Sequence, residues 1–240
     1  MPGLVKILYG NTDQIVEDMK MFDVEKFVSI NLAKSTEFQT YPLSHRAVYD
    51  TFFKGDDEGS LASDRYVQYT FTEQSPSTVS PELLSKSGAT VKSRLRRLQT
   101  DSPHYIPEAD DSLYSDLTAE CPDSIRQLVE AIKATGDTVS RVRLAGVAPG
   151  HTVSLHRDHD PSKLIRLHIP IKTNDKCVID CESKQQEIIS AHLAQGGLYM
   201  LNTGRRHAAK NGSDEWRVHL LVDVRGQNFI KKYDIETIID

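Results

Sequence analysis

From residue 138 to residue 225 hydrophobic and polar positions alternate with a period of two. They form eight short runs: TVSRVRLAGV, HTVSLHRD, KLIRLHIPIKT, KCVIDC, QQEIISAHL, GGLYMLN, RRHAAKN and EWRVHLLVDV. A period of two puts alternate side chains on opposite faces of a strand, and the residues between the runs are turn formers. The runs follow one another too closely for crossover helices, so the pattern predicts an antiparallel sandwich, jelly roll or barrel.

The first half reads differently. In NTDQIVEDMKMF (11–22) Asn11 or Thr12 can cap a helix whose Ile15, Met19 and Phe22 share one face. DSIRQLVEAIKATG (123–136) is a second helix, capped by Asp123 or Ser124, with Ile125, Leu128, Val129 and Ile132 as its apolar stripe and Gly136 at its end. DRYVQYTFTE (64–73) alternates as a strand does, and GDDEGS (55–60) is a loop. Residues 74–116, rich in Ser, Pro and Asp, predict loops around a short helix near 81–99. The expected organisation is a helical and irregular buttress over 1–136, a β core over 137–226 and a C-terminal tail over 227–240.

Composition changes this picture little. At 240 residues, 38% hydrophobic and 26% charged, the chain suits one large globular domain. A net charge of -5 argues against nucleic acid as a partner, and the basic run KSRLRRL (92–98) fits a solvated helix face. No run is long and apolar enough for a membrane span, and the N-terminus has no secretory pattern. Three cysteines, Cys121, Cys177 and Cys181, make no disulfide framework, so a reduced, cytoplasmic protein is expected. The sequence leaves the oligomeric state open.

Histidine distribution is more informative. Seven of the nine histidines (151, 156, 159, 168, 192, 207 and 219) fall in the β half. In SLHRDHD, His156 and Asp158 are two apart and project from one face, with His159 and Arg157 on the other. Two such adjacent ligands, plus a third from another strand, make a two-histidine, one-carboxylate metal site with open positions. His207, after the apolar run GGLYMLN, is the best third ligand. Arg217 shares a face with His219, and Arg166 shares one with His168. Two arginines aimed into a barrel without evident acidic partners suggest an anionic ligand inside. Arg141 and Arg143 also share a face by alternation. Taken alone, His156 and Asp158 read equally well as a polar strand end, and Arg217 as a surface partner of Asp214 or Glu215.

The ordered set, His156-x-Asp158, RLHIPI, GGLYMLNTGRRHAA with His207, then WRVHLLVDV with Arg217, resembles the iron(II)/2-oxoglutarate-dependent dioxygenases. Within them it is most similar to the aspartyl/asparaginyl β-hydroxylase-like group that includes bacterial cis-proline hydroxylases. The resemblance covers roughly residues 139–224. It implies a double-stranded β-helix (jelly roll, cupin-like) core, mainly β with α. It also implies Fe(II) held by His156, Asp158 and His207, with 2-oxoglutarate as cosubstrate and ascorbate as an optional activator. Arg217 would pair with the distal carboxylate of 2-oxoglutarate. Arg166 would help hold cosubstrate or substrate, and His192 and His168 would stand near the cosubstrate. The carboxylate of Asp158 implies hydroxylation rather than halogenation. Relatives often carry Asp at the position of Asn202.

Three functional readings follow. The first is a hydroxylase of a free amino acid or similar small, carboxylate-bearing molecule. The second is a hydroxylase of a residue within a peptide or protein. The third is a non-catalytic cupin-like metal-binding module, for which a cosubstrate clamp at Arg217 would be pointless.

Overall fold

The computed structural model describes residues 1–10, 12–20, 66–70, 72–74, 114–117, 119 and 121–240. The expected helix near 81–99, the loop at 55–60 and the basic run at 92–98 lie outside these residues. Strand β1 (Leu4–Ile7) and helix α1 (Asp13–Lys20) come first, then β2 (Tyr66–Thr70), β3 (Thr72–Gln74), β4 (Tyr114–Leu117) and helix α2 (Asp123–Lys133). The eight alternating runs form β5 (Thr138–Val147), β6 (Thr152–His156), β7 (Ile165–Lys172), β8 (Cys177–Glu182), β9 (Ile188–His192), β10 (Leu198–Leu201), β11 (His207–Asn211) and β12 (Arg217–Arg225). Helix α3 (Asn228–Lys232) and strand β13 (Ile235–Ile239) end the chain.

Pairing of the eight strands is nested. β8 pairs with β9, β7 with β10, β6 with β11 and β5 with β12, all antiparallel. This is one long hairpin, tipped at the β8–β9 turn and rolled up so that successive strands on each side of that turn alternate between two sheets. The result is a jelly roll. One sheet runs β13-β1-β10-β7-β12-β5-β2 and the other β6-β11-β8-β9.

Each face of the larger sheet has its own partner. On the outer face Leu144, Leu167, Leu220 and Val222 pack against Ile15, Ile125, Leu128 and Ile132 of the two helices. The stripe of α2 is the one its spacing predicts. Its cap is not: Pro122 occupies the N-cap position without a side-chain cap bond, and Ser124 Oγ instead donates to Asp18. Gly136, at φ +87°, takes the left-handed conformation that ends the helix. On the inner face, between the sheets, Leu4, Ile179, Cys181, Leu193, Tyr199 and Leu201 form a second apolar cluster. The inner face changes character toward β5 and β12, where His168, Arg143, Arg217, His219 and Asp223 are all buried.

Three expectations need correction. The core is not confined to 137–226, because β1 and β13 pair with each other and extend the larger sheet beyond β10. The stretch after 226 is therefore a helix and a sheet strand rather than a tail. Second, Arg141 and Arg143 do not follow simple alternation. The β5–β12 register steps from Arg143↔Leu221 to Ser140↔Asp223, so Arg141 and Val142 stand against Val222 alone. Arg141 adopts φ +49° in this bulge, which lets Ser140 and Arg143, three residues apart, both take the inner face. The third concerns acidic partners and belongs with the site. All three cysteines are free. Among the described residues, no helix is long and apolar enough to cross a membrane.

Candidate metal centre and cosubstrate pocket

His156 is the last residue of β6 and His207 the first of β11, and the antiparallel register sets them directly opposite each other. Their rings lie 4.3 Å apart between centroids. Asp158 follows two residues after β6 ends, and its backbone N–H donates to Thr203 O at 2.8 Å, tying that loop to the turn before β11. One ligand atom from each of His156, Asp158 and His207 lies within 4.8 Å of the other two. The two carboxylate oxygens face different histidines, Oδ1 at 3.8 Å from His156 Nε2 and Oδ2 at 3.9 Å from His207 Nε2.

The donor chemistry fits a divalent metal. His156 Nδ1 lies 2.7 Å from Ser154 O, and His207 Nδ1 lies 3.0 Å from Arg205 O. A carbonyl can only accept, so each Nδ1 carries the proton and each Nε2 keeps a lone pair for a metal. Burial pushes His207 down to about 4, with the like charge of His156 adding to it, so it is neutral at neutral pH. Burial by itself raises the Asp158 carboxyl, but the cation of Arg166, then His207 and His156, outweigh it and hold it at about 2. Two imidazoles and one carboxylate are a donor set for a 2+ ion.

The turn before His207 is fixed from several sides. Asn202 accepts from Gly204 N through its side-chain oxygen and donates to Pro2 O through Nδ2. On the outward side, Glu182 accepts from Arg206 Nε at 2.9 Å and from Arg157 Nη2 at 3.0 Å. It therefore clamps the outward-facing neighbours of two ligands, one on each strand. Hydrogen bonds from Arg206 and then Arg157 hold Glu182 at about 2. His159, which strand parity turns away from the ligands, is exposed, and Asp160, a poorly placed alternative ligand by sequence, is exposed and accepts from Ser162 N.

The same inner face also carries a cluster of buried polar side chains. Arg217 is only 4% exposed, while Glu215 reaches Lys172 at 3.6 Å on the surface. Arg217 Nη2 sits 3.2 Å from His219 Nδ1. The guanidinium can only donate, so His219 Nδ1 accepts and Nε2 carries a proton, yet this buried Nε2 has no hydrogen-bond partner. Both ring nitrogens of buried His168 also lack partners. Burial first, and then the Arg217 cation, push both histidines well below the ordinary value, so both are neutral. Orphaned buried donors next to a buried arginine fit the carboxylate oxygens of an anion such as 2-oxoglutarate.

Two expected pocket residues behave otherwise. Arg166 does have acidic partners: Nε donates to Asp223 Oδ1 at 2.8 Å, Nη2 to Asp223 Oδ2 at 3.3 Å, and Nη1 to Asp158 Oδ2. Asp223, fully buried, also accepts from Arg143 Nη1 at 3.0 Å. The expectation that the inward arginines lack acids is therefore corrected, since Arg166 pairs with both Asp223 and Asp158. Asp223 was detectable: it shares inward parity with Arg217 and His219 and is the one acid in the run RVHLLVDVR. His192 is the second correction. It is exposed, stands opposite Val178 on the Ser190 side of β9, and its Nδ1 lies 2.9 Å from Cys177 O. Ala191 and Ile189, opposite Ile179 and Cys181, take the inner positions instead.

Two histidines and one carboxylate at one rim of a rolled antiparallel sandwich are a donor set that could hold a divalent metal. The sequence pattern described as aspartyl/asparaginyl β-hydroxylase matches residues 105–226, about half of the chain, and the chain belongs to that family. The family's description is that of a hydroxylase acting on aspartyl or asparaginyl groups. Among solved structures, it is similar to an oxidoreductase of the 2OG-Fe(II) oxygenase family from Burkholderia pseudomallei, at 14% identity and a TM-score of 0.37. That alignment covers 45% of this chain and 58% of the Burkholderia chain, so the chain spans little more than half of that protein's length. It is also similar to a cupin domain from Bordetella pertussis Tohama I, at 21% identity and a TM-score of 0.29, over 38% of this chain and 92% of that one. A 7S globulin from Momordica charantia aligns at 15% identity and a TM-score of 0.31, over 49% and 31% of the two chains.

Proposed function

We propose that His156, Asp158 and His207 hold Fe(II), that Arg217 binds the distal carboxylate of 2-oxoglutarate, and that the enzyme hydroxylates a free amino acid or similar small carboxylate-bearing molecule. The observation that carries the reading is the convergence of the three ligand atoms within 4.8 Å, on the same inner face as buried Arg217. Fe(II) and 2-oxoglutarate, when bound, supply the chemistry that places oxygen from O2 into a C–H bond, with succinate and carbon dioxide released. The chain supplies position and charge. His156 and His207 turn lone pairs toward the metal because backbone carbonyls hold their other nitrogens. Arg217, His219 and His168 offer buried donors, and hydrogen bonds to an anion are stronger where the groups are buried.

Arg143 and Arg217 are buried and Arg166 is half-buried on the inner face, and this density of arginines supports a substrate that brings a carboxylate. The family's own description favours a second reading, an aspartyl or asparaginyl residue within a peptide. Incubation with Fe(II), ascorbate and 2-oxoglutarate separates the two: free amino acids and Asp- or Asn-containing peptides are screened for succinate release. Coupled succinate with a free amino acid is expected. Turnover with peptides alone would transfer the assignment to the second reading.

A further inference from the structure

The third partner of the inner arginines carries an inference that rests on the metal site proposed above. We propose that Asp223 is a positioning residue for the metal ligand Asp158, acting through Arg166. Asp223 lies on β12 and is fully buried, so it does not reach the rim where the metal ligands converge. Its two oxygens grip Arg166 along one edge, Nε to Oδ1 at 2.8 Å and Nη2 to Oδ2 at 3.3 Å. That grip aims the remaining nitrogen, Nη1, at Asp158 Oδ2. The planar guanidinium transmits the orientation rigidly, because its nitrogens are fixed relative to one another.

Two consequences follow for Asp158. One of its oxygens is occupied by Arg166, so the carboxylate is turned to offer Oδ1, the oxygen on the His156 side. And Asp223 neutralises a cation that would otherwise compete with a metal for Asp158. Arg143, the other arginine on Asp223, helps to fix that carboxylate through Asp223 Oδ2 and also donates to Arg141 O. The two arginines thus separate the transmitted effect from the general cost of disturbing a buried ion cluster.

The test is the dissociation constant of Mn(II), read from the free-ion resonance signal, on full-length protein checked for native circular dichroism. Asp223→Asn should weaken binding by about 10–100-fold, the range for lost support of a metal ligand. Asp223→Asn with Arg166→Met should recover part of that loss, since the untethered competing cation is gone. Arg143→Met should leave the constant within about twofold of wild type while lowering the unfolding midpoint. Equal weakening by Asp223→Asn and Arg143→Met would overturn the inference, as would a double variant no better than Asp223→Asn. Should Asp223→Asn fail to fold, Arg166→Lys, which keeps the charge but not the fork, replaces it. Unchanged binding in Arg166→Lys would then overturn the inference. Mn(II) binding that survives His207→Ala would instead contradict the metal site itself.

Discussion

Asp223 shows how much one residue carries here. Burial alone would raise its carboxyl, yet Arg143, Arg166 and Arg141 hold it well below the usual carboxylate range. Removing the charge leaves two buried arginines short of a counter-ion, so Asp223→Asn should cost about 3–5 kcal/mol in urea unfolding near neutral pH. The sign of the pH dependence follows from the depressed value. The contribution is complete above the unfolded carboxyl value of about 4 and is lost as pH falls toward the folded one. The gap between wild type and Asp223→Asn should therefore narrow progressively in unfolding curves below about pH 4. Arg217 predicts a different loss. Arg217→Lys keeps the charge but cannot reproduce a two-pronged carboxylate contact, so the affinity for 2-oxoglutarate should fall roughly tenfold to hundredfold, measured by titration into metal-loaded protein.

Among the elements, α3 depends on a residue outside itself. Asp137, just before β5, accepts from Asn228 N at 3.2 Å and Phe229 N at 2.8 Å, capping α3 and seating Phe229 in the helix-side core. Gly226 passes so close that a Cβ there would stand 2.0 Å from the Asp137 carboxylate, and its φ of +117° favours glycine as well. Asp137→Ala should cost roughly 1 kcal/mol, the usual worth of a cap, visible as a lower midpoint in thermal unfolding. The eight core strands were legible because alternation is a local signal. So was the inward parity of Arg166, His168, Arg217 and His219, which holds in the structure. The break at Arg141 was not, since a bulge depends on what stands across the ladder. His192 was misplaced for a related reason. Its parity is set by the pairing of β9 with β8.

At the scale of the whole molecule, the chain ends complete the sheet. β13 covers β1, and β1 covers β10, whose neighbour β7 carries Arg166 and His168. Sequence periodicity could not reveal this, because two short strands far apart in the chain recognise each other only in the folded sheet. Ending the chain after residue 233 should bare the edge of β1 and expose Leu4, so the shortened protein should self-associate or elute as a broadened species in size-exclusion chromatography. The metal ligands, by contrast, were legible as an ordered set, although their convergence required the β6–β11 register. Anaerobic Fe(II) binding by equilibrium dialysis tests that convergence most directly. Wild type should take up a single Fe(II) per chain, and His207→Ala and Asp158→Ala, with folds intact, should lose it. Uptake unchanged in both variants would contradict the account.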